Sequence, residues 1–484
     1  MVNMRILFLN PPFEFRVSKE SRWPEYTKSG TLYYPYWLAY ATGVMMEESR
    51  HDVLLLDAIA KGFGYEETLK ILEDFEPELV VIETTTPTFI KDLRFVKLLK
   101  ERIDCKICLV GPHVSALPEE SLRDSKETDF VARKEYEYTI LDLANTIENN
   151  GDLKNVLGIS YRTEEKITHN PDRPLIQELD KLPFVSKVYK KFLDIRDYRY
   201  ALARYPMIQV WSSRGCPNRC TFCVYPQTFS GRLFRARSPE NFVAELEWIK
   251  ENLPQVKEVF IEDDTFSVDK ERVLKICKLI REKNLNIIWS TNARADILYE
   301  VLKEMRKAGC RMLIIGYESG NQQILNNIKK GVWLSNVIRF TLDAKRAGIK
   351  IFGCFMIGLP GDTKETIKQT FDFASKLNPD MAFFQQAVPF PGTEFYDWVK
   401  SNGYLSAKSW DEWLDENGRL NFIVDYPNLT SKQIRKMRES ITVRFYLSPK
   451  WMAQAVLHNL HPNEMIRLAT AAKDYLRFLL FERQ

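Results

Sequence analysis

Short apolar runs alternate with amphipathic stretches along most of the chain. In the first 150 residues the runs fall at 5–9, 53–57, 79–83, 106–110 and 129–132. They are rich in Val, Ile and Leu, as strands buried on both faces are. Between them, residues 65–75 and 89–103 carry helical spacing. This rhythm predicts a doubly wound parallel sheet, a Rossmann-like α/β domain, over residues 1–150. Residues 151–205 read as a connector, with a hairpin pairing 158–161 and 166–168. From 206 to 390 the rhythm returns. Strands are predicted at 208–212, 258–261, 287–290, 312–315, 351–357 and 381–385. Helices are predicted at 239–252, 270–283, 298–308, 334–347 and 364–377. Six βα units in one run predict a (βα)6 partial TIM barrel with its working residues at the carboxyl ends of the strands. Residues 391–484 are predicted to be a helical C-terminal region.

Composition removes whole classes of protein. The 484 residues are 45% hydrophobic and 28% charged, which excludes a disordered or collagenous chain. A formal net charge of +4 over that length gives no reason to expect a nucleic-acid partner. No stretch approaches the roughly 20 apolar residues of a membrane helix, so no transmembrane segment is expected. The apolar start of the chain stops at Pro11 and Pro12, too early for a signal-peptide core. Eight cysteines are too few for a disulfide scaffold. A cytoplasmic location is therefore expected, with any important cysteine acting as ligand or nucleophile.

Three of those cysteines are bunched. Arg214-Gly215-Cys216-Pro217-Asn218-Arg219-Cys220-Thr221-Phe222-Cys223 places them on one loop after the first barrel strand. Three thiolates so placed can hold three corners of a 4Fe-4S cube and leave the fourth iron open. Zinc is the alternative, but it takes four ligands or an added His. None of the five histidines is near in sequence.

The C-x3-C-x2-C spacing, with Phe222 before the last cysteine, resembles the radical S-adenosylmethionine (SAM) enzymes. That resemblance makes Cys216, Cys220 and Cys223 the cluster ligands and the open iron the seat of SAM. Reductive cleavage of SAM would then give a 5′-deoxyadenosyl radical that takes hydrogen from a substrate. Other stretches extend the likeness. Glu262-Asp263-Asp264 ends the second barrel strand, where the family receives the methionine amine; alone, it reads as a strand-end turn capping the next helix. Glu318 ends the fourth, and Gly358-Leu359-Pro360-Gly361 the fifth, beside the adenine. Arg294 and Asn292 are further SAM contacts on this reading. Gln385 and Gln386 would face either substrate or adenine. The resemblance also implies an external electron donor such as reduced flavodoxin or ferredoxin.

A doubly wound domain ahead of such a barrel resembles the subgroup with an N-terminal cobalamin-binding domain, which holds methyltransferases, anaerobic cyclases and hopanoid-pathway enzymes. Pro11 and Pro12 after the first strand, Thr84 and Thr85 after the third, and Gly111 and Pro112 after the fourth are the implied corrinoid-binding residues. The second strand departs from the pattern. Asp57-Ala58-Ile59-Ala60-Lys61-Gly62 keeps the Asp and Gly of D-x-H-x-x-G, but Ile59 stands in the place of the His and cannot ligate cobalt. His113 reads as a hydrogen-bonding loop residue.

The function implied is radical chemistry on a small-molecule or lipid-like substrate, with methyl transfer from cobalamin to an unactivated carbon. A cobalamin-independent rearrangement, cyclisation or ring contraction is the alternative. A non-catalytic iron–sulfur electron carrier is a third reading, which the Glu262, Glu318 and Gly358 motifs argue against. No catalytic side chain is assigned. Cys105, Cys108, Cys277 and Cys310 read as packing thiols, while Cys354 lies on a lumen-facing strand. Residues 19–26 and the aromatic run 33–37 read together as a flap over the corrinoid or substrate, or as a hydrophobic staple entering the following helix. The basic, apolar tail (Trp451, Leu457, Leu460, Arg467, Lys473, Tyr475, Arg477, Phe478, Leu479, Arg483) reads as a helix packed on the barrel rather than on a membrane.

Overall fold

The computed structural model describes residues 3–26, 29–163 and 166–458. The apolar runs of the first block form β1 (Arg5–Asn10), β2 (Asp52–Asp57), β3 (Leu79–Glu83), β4 (Lys106–Val110) and β5 (Phe130–Ala132). They pair in parallel in the order β2-β1-β3-β4-β5. Alternate residues of β1 feed two apolar layers, Ile6 and Phe8 on one face and Leu7 and Leu9 on the other. Helices cover both faces, so a continuous apolar strand is stable here. The strand order reverses between β1 and β3, and the crevice at their carboxyl ends is where such sheets bind ligands.

The predicted hairpin exists as β6 (Ile159–Arg162) and β7 (Ile167–His169). It is not a free connector, however. Antiparallel pairing of Phe130 with Tyr161 adds both strands to the N-terminal sheet, making seven. The short β5 would otherwise leave an open edge, and the hairpin covers it.

In the second block, β8 (Met207–Val210) leads to a two-stranded ribbon, β9 (Ser213–Arg214) and β10 (Arg235–Ala236), that brackets the cysteine loop. Then follow β11 (Glu258–Ile261), β12 (Trp289–Ala293), β13 (Cys310–Glu318), β14 (Lys350–Ile357) and β15 (Met381–Gln386). The six barrel strands β8 and β11–β15 are parallel and lie in sequence order. The third begins two residues later than the pattern suggests, because Asn284 and Asn286 adopt left-handed backbone conformations that delay the strand.

The C-terminal region is less helical than predicted. Helices occupy Glu394–Ser401, Ser431–Tyr446 and Pro449–His458, but most of 402–430 is irregular chain. Gly403 and Gly418 take positive φ, and side chains such as Trp413 and Leu420 anchor the segment over the barrel and the N-terminal domain. Of the tail residues, Trp451 packs edge-on to Tyr446 and donates its indole N–H to the Asp380 carbonyl (3.0 Å). Leu460 and the later tail residues lie outside the described residues, as does the side chain of Leu457. Among the described residues, no helix is long and apolar enough to cross a membrane.

The aromatic run joins the two domains. Tyr34 Oη donates to the Met207 carbonyl (2.8 Å) and its backbone N–H to Gln209 (3.0 Å). Trp37 lies against Trp211, with ring centroids 4.6 Å apart. Charge reinforces the seam, where Arg214 meets Glu137 at 2.7 Å and Arg235 meets Glu135 at 2.7 Å, all buried. The run is thus an interdomain seam, neither flap nor staple.

Candidate active site

The cysteine loop is fixed mostly by its own barrel. Gly215 (φ +82°) must be glycine, since a Cβ there would lie 2.1 Å from the Leu233 carbonyl oxygen. Its N–H donates to Asp264 (2.9 Å), and the Cys216 N–H donates to the Gly231 carbonyl (3.2 Å). The Gln227 amide donates to the Thr221 and Cys223 carbonyls at 3.2 and 2.8 Å. The Asn218 amide points at the Cys216 sulfur (3.3 Å). Cys220 is buried, and Cys216 and Cys223 are half-buried. The three thiols lie within electrostatic range of one another, and burial raises the pKa of Cys220 and of Cys223. Among the described residues no three Cys, His, Asp or Glu side chains close round a single ion. Three thiols on one tight loop, without a fourth donor, suit a cube with one open iron better than a tetrahedral ion.

Glu262, Asp263 and Asp264 have separate duties. Asp263 is fully buried, and its carboxylate takes the N–H and hydroxyl of both Ser212 and Ser213 (2.5–3.0 Å). Every oxygen is thereby spent on holding the start of the cysteine loop. Asp264 accepts from Gly215, from Ser230 Oγ (2.9 Å) and from Arg22 (2.9 Å). Glu262 accepts from Arg22 (2.5 Å), Gln209 and Asn292. Burial pushes its carboxyl up to about 7 against the pull of the guanidinium.

Glu318, Lys330, Arg294 and Cys220 form a second group. Glu318 takes a left-handed conformation (φ +61°) at a bulge in β13 and pairs with the buried Lys330 at 2.7 Å. Gly316 makes room, because a Cβ there would meet Glu318 Oε1 at 2.2 Å. Lys330, Glu318 and Arg294 all lie within electrostatic reach of Cys220. An ammonium and a carboxylate set beside the cysteine loop match the two ends of an amino acid. Gly358 (φ +88°) and Leu359 donate their N–H groups to Asp362 (2.9 Å each), fixing the turn that carries Pro360. Gln385 and Gln386 are buried, and Gln386 spends its amide on the Leu420 carbonyl and on Arg438. Phe222 and Cys223 line a closed cavity of about 20 Å³ with Arg22, Trp23, Val224, Met356, Val388 and Phe390.

In the N-terminal crevice, Pro11 and Pro12 are buried at the end of β1. Thr84 donates its hydroxyl to Asp92 (2.8 Å), and Thr85 is buried beside it. Gly111 has φ +115°, and a Cβ there would strike the Thr84 carbonyl at 2.3 Å; Pro112 follows at the start of a short helix. Ile59 is buried in the apolar core, away from any ligand role. Asp57 holds Asn10, Ala60 and Tyr198, and burial raises it to about 6. His113 bonds Thr86 at 3.0 Å between Phe89 and Trp410, and burial lowers it to about 3, so it is neutral. Three buried polar atoms here have no partner: Asn10 Oδ1, Glu83 Oε1 and His113 Nε2. Orphaned groups at the carboxyl ends of β1, β3 and β4 are what a polar ligand, such as a corrinoid bearing amides, would satisfy.

Residues 19–22, within the stretch read from the sequence as a flap or a staple, instead tie the two places together. Lys19, almost wholly buried, pairs with Asp92 at 2.6 Å and reaches the Glu83 carbonyl. Glu20 accepts the Trp37 and Leu38 N–H groups. Arg22 crosses to Glu262 and Asp264. Only the unusual density of charge beside Trp23 and Pro24 hints at this in the sequence.

Comparison with known proteins agrees with this geometry. Residues 212–374 match the radical SAM superfamily model, and residues 26–144 match the B12 binding domain model. An uncharacterized methyltransferase of Pyrococcus horikoshii is 31% identical over 459 residues, covering 94% of this chain and 95% of that protein. The chain belongs to the radical SAM superfamily. As a member it is an enzyme that uses a 4Fe-4S cluster and SAM, with a B12 binding domain in front. The anaerobic magnesium-protoporphyrin IX monomethyl ester cyclase of Rubrivivax gelatinosus is 26% identical, over 81% of this chain and 69% of its own length. Among solved structures, the radical SAM methyltransferase TsrM of Kitasatospora setae superposes with a TM-score of 0.73 at 15% identity. That match covers 98% of this chain and all of TsrM, and at such identity the likeness concerns the fold.

Proposed function

We propose that this superfamily member is a cobalamin-dependent methyltransferase acting on an unactivated carbon of a small organic or lipid-like molecule. One observation carries the reading. Lys19 is anchored at the carboxyl end of β3, and Arg22 at the carboxyl end of β11. Three residues of chain span at most about 11 Å, so one short strap, through its Lys19 and Arg22 side chains, ties the corrinoid-type crevice to the strand end beside the cysteine loop. Methyl transfer from one cofactor to a radical made at the other requires that arrangement.

When bound, the cluster supplies the electron that splits SAM, and the corrinoid supplies the methyl group. The residues do the rest. Cys216, Cys220 and Cys223 would hold the cluster, and Asp263 and Asp264 hold the loop in place. Glu318, Lys330 and Arg294 would receive the amino-acid end of SAM, with Glu262 near its amine and Phe222, Gly358 and Pro360 about its base. Asn10, Pro11, Pro12, Glu83, Thr84, Thr85, Gly111 and Pro112 would line the corrinoid. Ile59 offers no axial nitrogen, so the corrinoid would sit without a protein ligand from β2. The apolar side chains of Met356, Val388 and Phe390 on the cavity wall would keep solvent-borne hydrogen donors away from a carbon radical. Reduced flavodoxin or ferredoxin would supply the electron. Anaerobic reconstitution followed by iron, sulfide and corrinoid assay of one sample tests the reading. Protein from cobalamin-fed cells should hold a corrinoid and, on reduction with SAM, yield 5′-deoxyadenosine. A product that gains no CH2, or protein without corrinoid, overturns it.

A further inference from the structure

The carboxyl end of β15 meets a group of arginines from the C-terminal region. Helix Ser431–Tyr446 is capped by Thr430 and buries Ile434, Ile441 and Phe445. Ile434 reaches Gly358, at the end of β14. Arg435 and Arg438, one turn apart, therefore stand over the carboxyl-terminal mouth of the barrel, where substrates of such barrels bind. Both guanidinium groups lie over the same ring, Phe422, at 4.9 and 5.1 Å from its centroid. Like charges so close repel one another, yet their hydrogen-bond partners are neutral. Arg435 donates to the Asn421 amide oxygen (2.9 Å) and Arg438 to that of Gln386 (3.2 Å). Burial depresses the pKa of Arg438; Glu25 and Glu439 oppose the fall, and Arg435 and Arg419 add to it.

The acids near Arg438 offset its charge only in part. Glu439 is exposed to solvent. Glu25, from the strap, bonds the Leu420 N–H (3.0 Å) and is raised to about 7 by burial, so near neutrality it is only about half ionised. Asp415, which faces Glu25, takes the backbone N–H groups of Asn417 and Arg419. Two guanidinium groups held close to one ring, each with donors left over, are suited to binding an oxyanion. Val388 and Phe390, just past β15, line the cavity that also contains Cys223.

We propose that Arg435 and Arg438 form a subsite for a phosphate or carboxylate group of the substrate, anchoring its anionic end while the reacting carbon faces the cysteine loop. The substrate is then an organic acid or phosphate ester. This assignment rests on the reading above for what happens to that substrate, but the subsite can be tested without turnover. Inorganic phosphate and malonate, titrated calorimetrically into the reconstituted full chain at fixed ionic strength, should show saturable binding, the stronger ligand identifying the class of anion. Arg435→Gln and Arg438→Gln should each weaken it at least tenfold. Arg444→Gln, on the same helix but set over Phe371, should not. In the unmutated protein, phenylglyoxal labelling mapped by mass spectrometry should hit Arg435 and Arg438 and be blocked by the bound anion. No saturable binding, equal loss in all three variants, or labelling that the anion does not block overturns the subsite. A chain that binds the anion yet yields no 5′-deoxyadenosine keeps the subsite and instead overturns the enzymatic reading.

Discussion

The cysteine loop and the N-terminal crevice are both cofactor sites at the carboxyl ends of parallel strands, but they are built differently. The loop packs three ligands into eight residues and is held mainly by neighbours from the same barrel, through Asp263, Asp264 and Gln227. The crevice is assembled from β1, the strap, β3, β4 and the segment near Tyr198. It leaves unpartnered buried atoms on three separate strand ends, at Asn10, Glu83 and His113, whereas the loop leaves the Thr221 hydroxyl. A site held by local backbone bonds is preformed for its cofactor, whereas one held by long-range buried charges has room to change with its occupant.

The largest effect should come from the loop. Cys220→Ala should abolish the cluster and lower 5′-deoxyadenosine formation below about one thousandth of the wild-type rate, since no second route to the radical exists at this site. Iron content and visible absorbance of the reconstituted variant check this, and corrinoid content should be unchanged. Loss of corrinoid with the cluster would show that the two sites are one unit, breaking the contrast.

Next comes the strap. Arg22→Gln leaves Glu262 and Asp264 facing each other in a buried place without their guanidinium. Removing one member of a buried ion pair costs about 4 kcal/mol, read as a lower midpoint in urea. Cluster content should fall as well, because Asp264 positions Gly215. Arg22→Lys should recover part of the stability.

Lys19→Met should cost less, about 3 kcal/mol. It strands one carboxylate, not two, and Asp92 keeps the Thr84 and Thr88 hydroxyls (2.8 and 2.6 Å). The double variant Lys19→Met/Asp92→Leu should regain most of the loss, as replacing a whole buried pair by apolar groups is close to neutral. Corrinoid affinity, not cluster content, should change in both variants.

The same contrast explains what was legible in the sequence. The cluster ligands declare themselves by spacing, and the barrel by six repeats of one rhythm, so both were visible without coordinates. Superfamily, fold class and enzymatic nature followed from them. The strand-end motifs were visible as places, not as roles. Nothing in Glu262-Asp263-Asp264 distinguishes the aspartate spent on Ser212 and Ser213 from the glutamate facing Arg22. Lys19 and Arg22 were visible only as part of a flap-or-staple stretch, and Glu83 not at all as a site residue, since each acquires its partner across 50 or more residues of chain and isolated charges carry no period. Residues 391–484 read as helical from the sequence, yet most of 402–430 is coil, and its apolar residues do not serve a helix face. They serve instead to anchor a coil laid over two domains.

The smallest effect concerns protons in the crevice. Burial raises Glu83 to about 8, although Tyr136 donates a 2.9 Å hydrogen bond and Lys19 is close. In the unfolded chain a glutamate titrates near about 4.3. Between those values the native state holds a proton that the unfolded state has lost. Stability from this group therefore falls as pH rises from about 4 to 8 and levels off above. Glu83→Gln cannot ionise and can still accept from Tyr136 through its amide oxygen. It should match the wild type at pH 4 and exceed it at pH 8, measured by urea unfolding at the two pH values. If the variant gains equally at both, the cost of Glu83 is one of packing, and the crevice is as rigidly satisfied as the cysteine loop. If the gain appears only at high pH and vanishes once a corrinoid is bound, the unpartnered Oε1 is the atom the ligand satisfies, and the crevice is the site that its occupant completes.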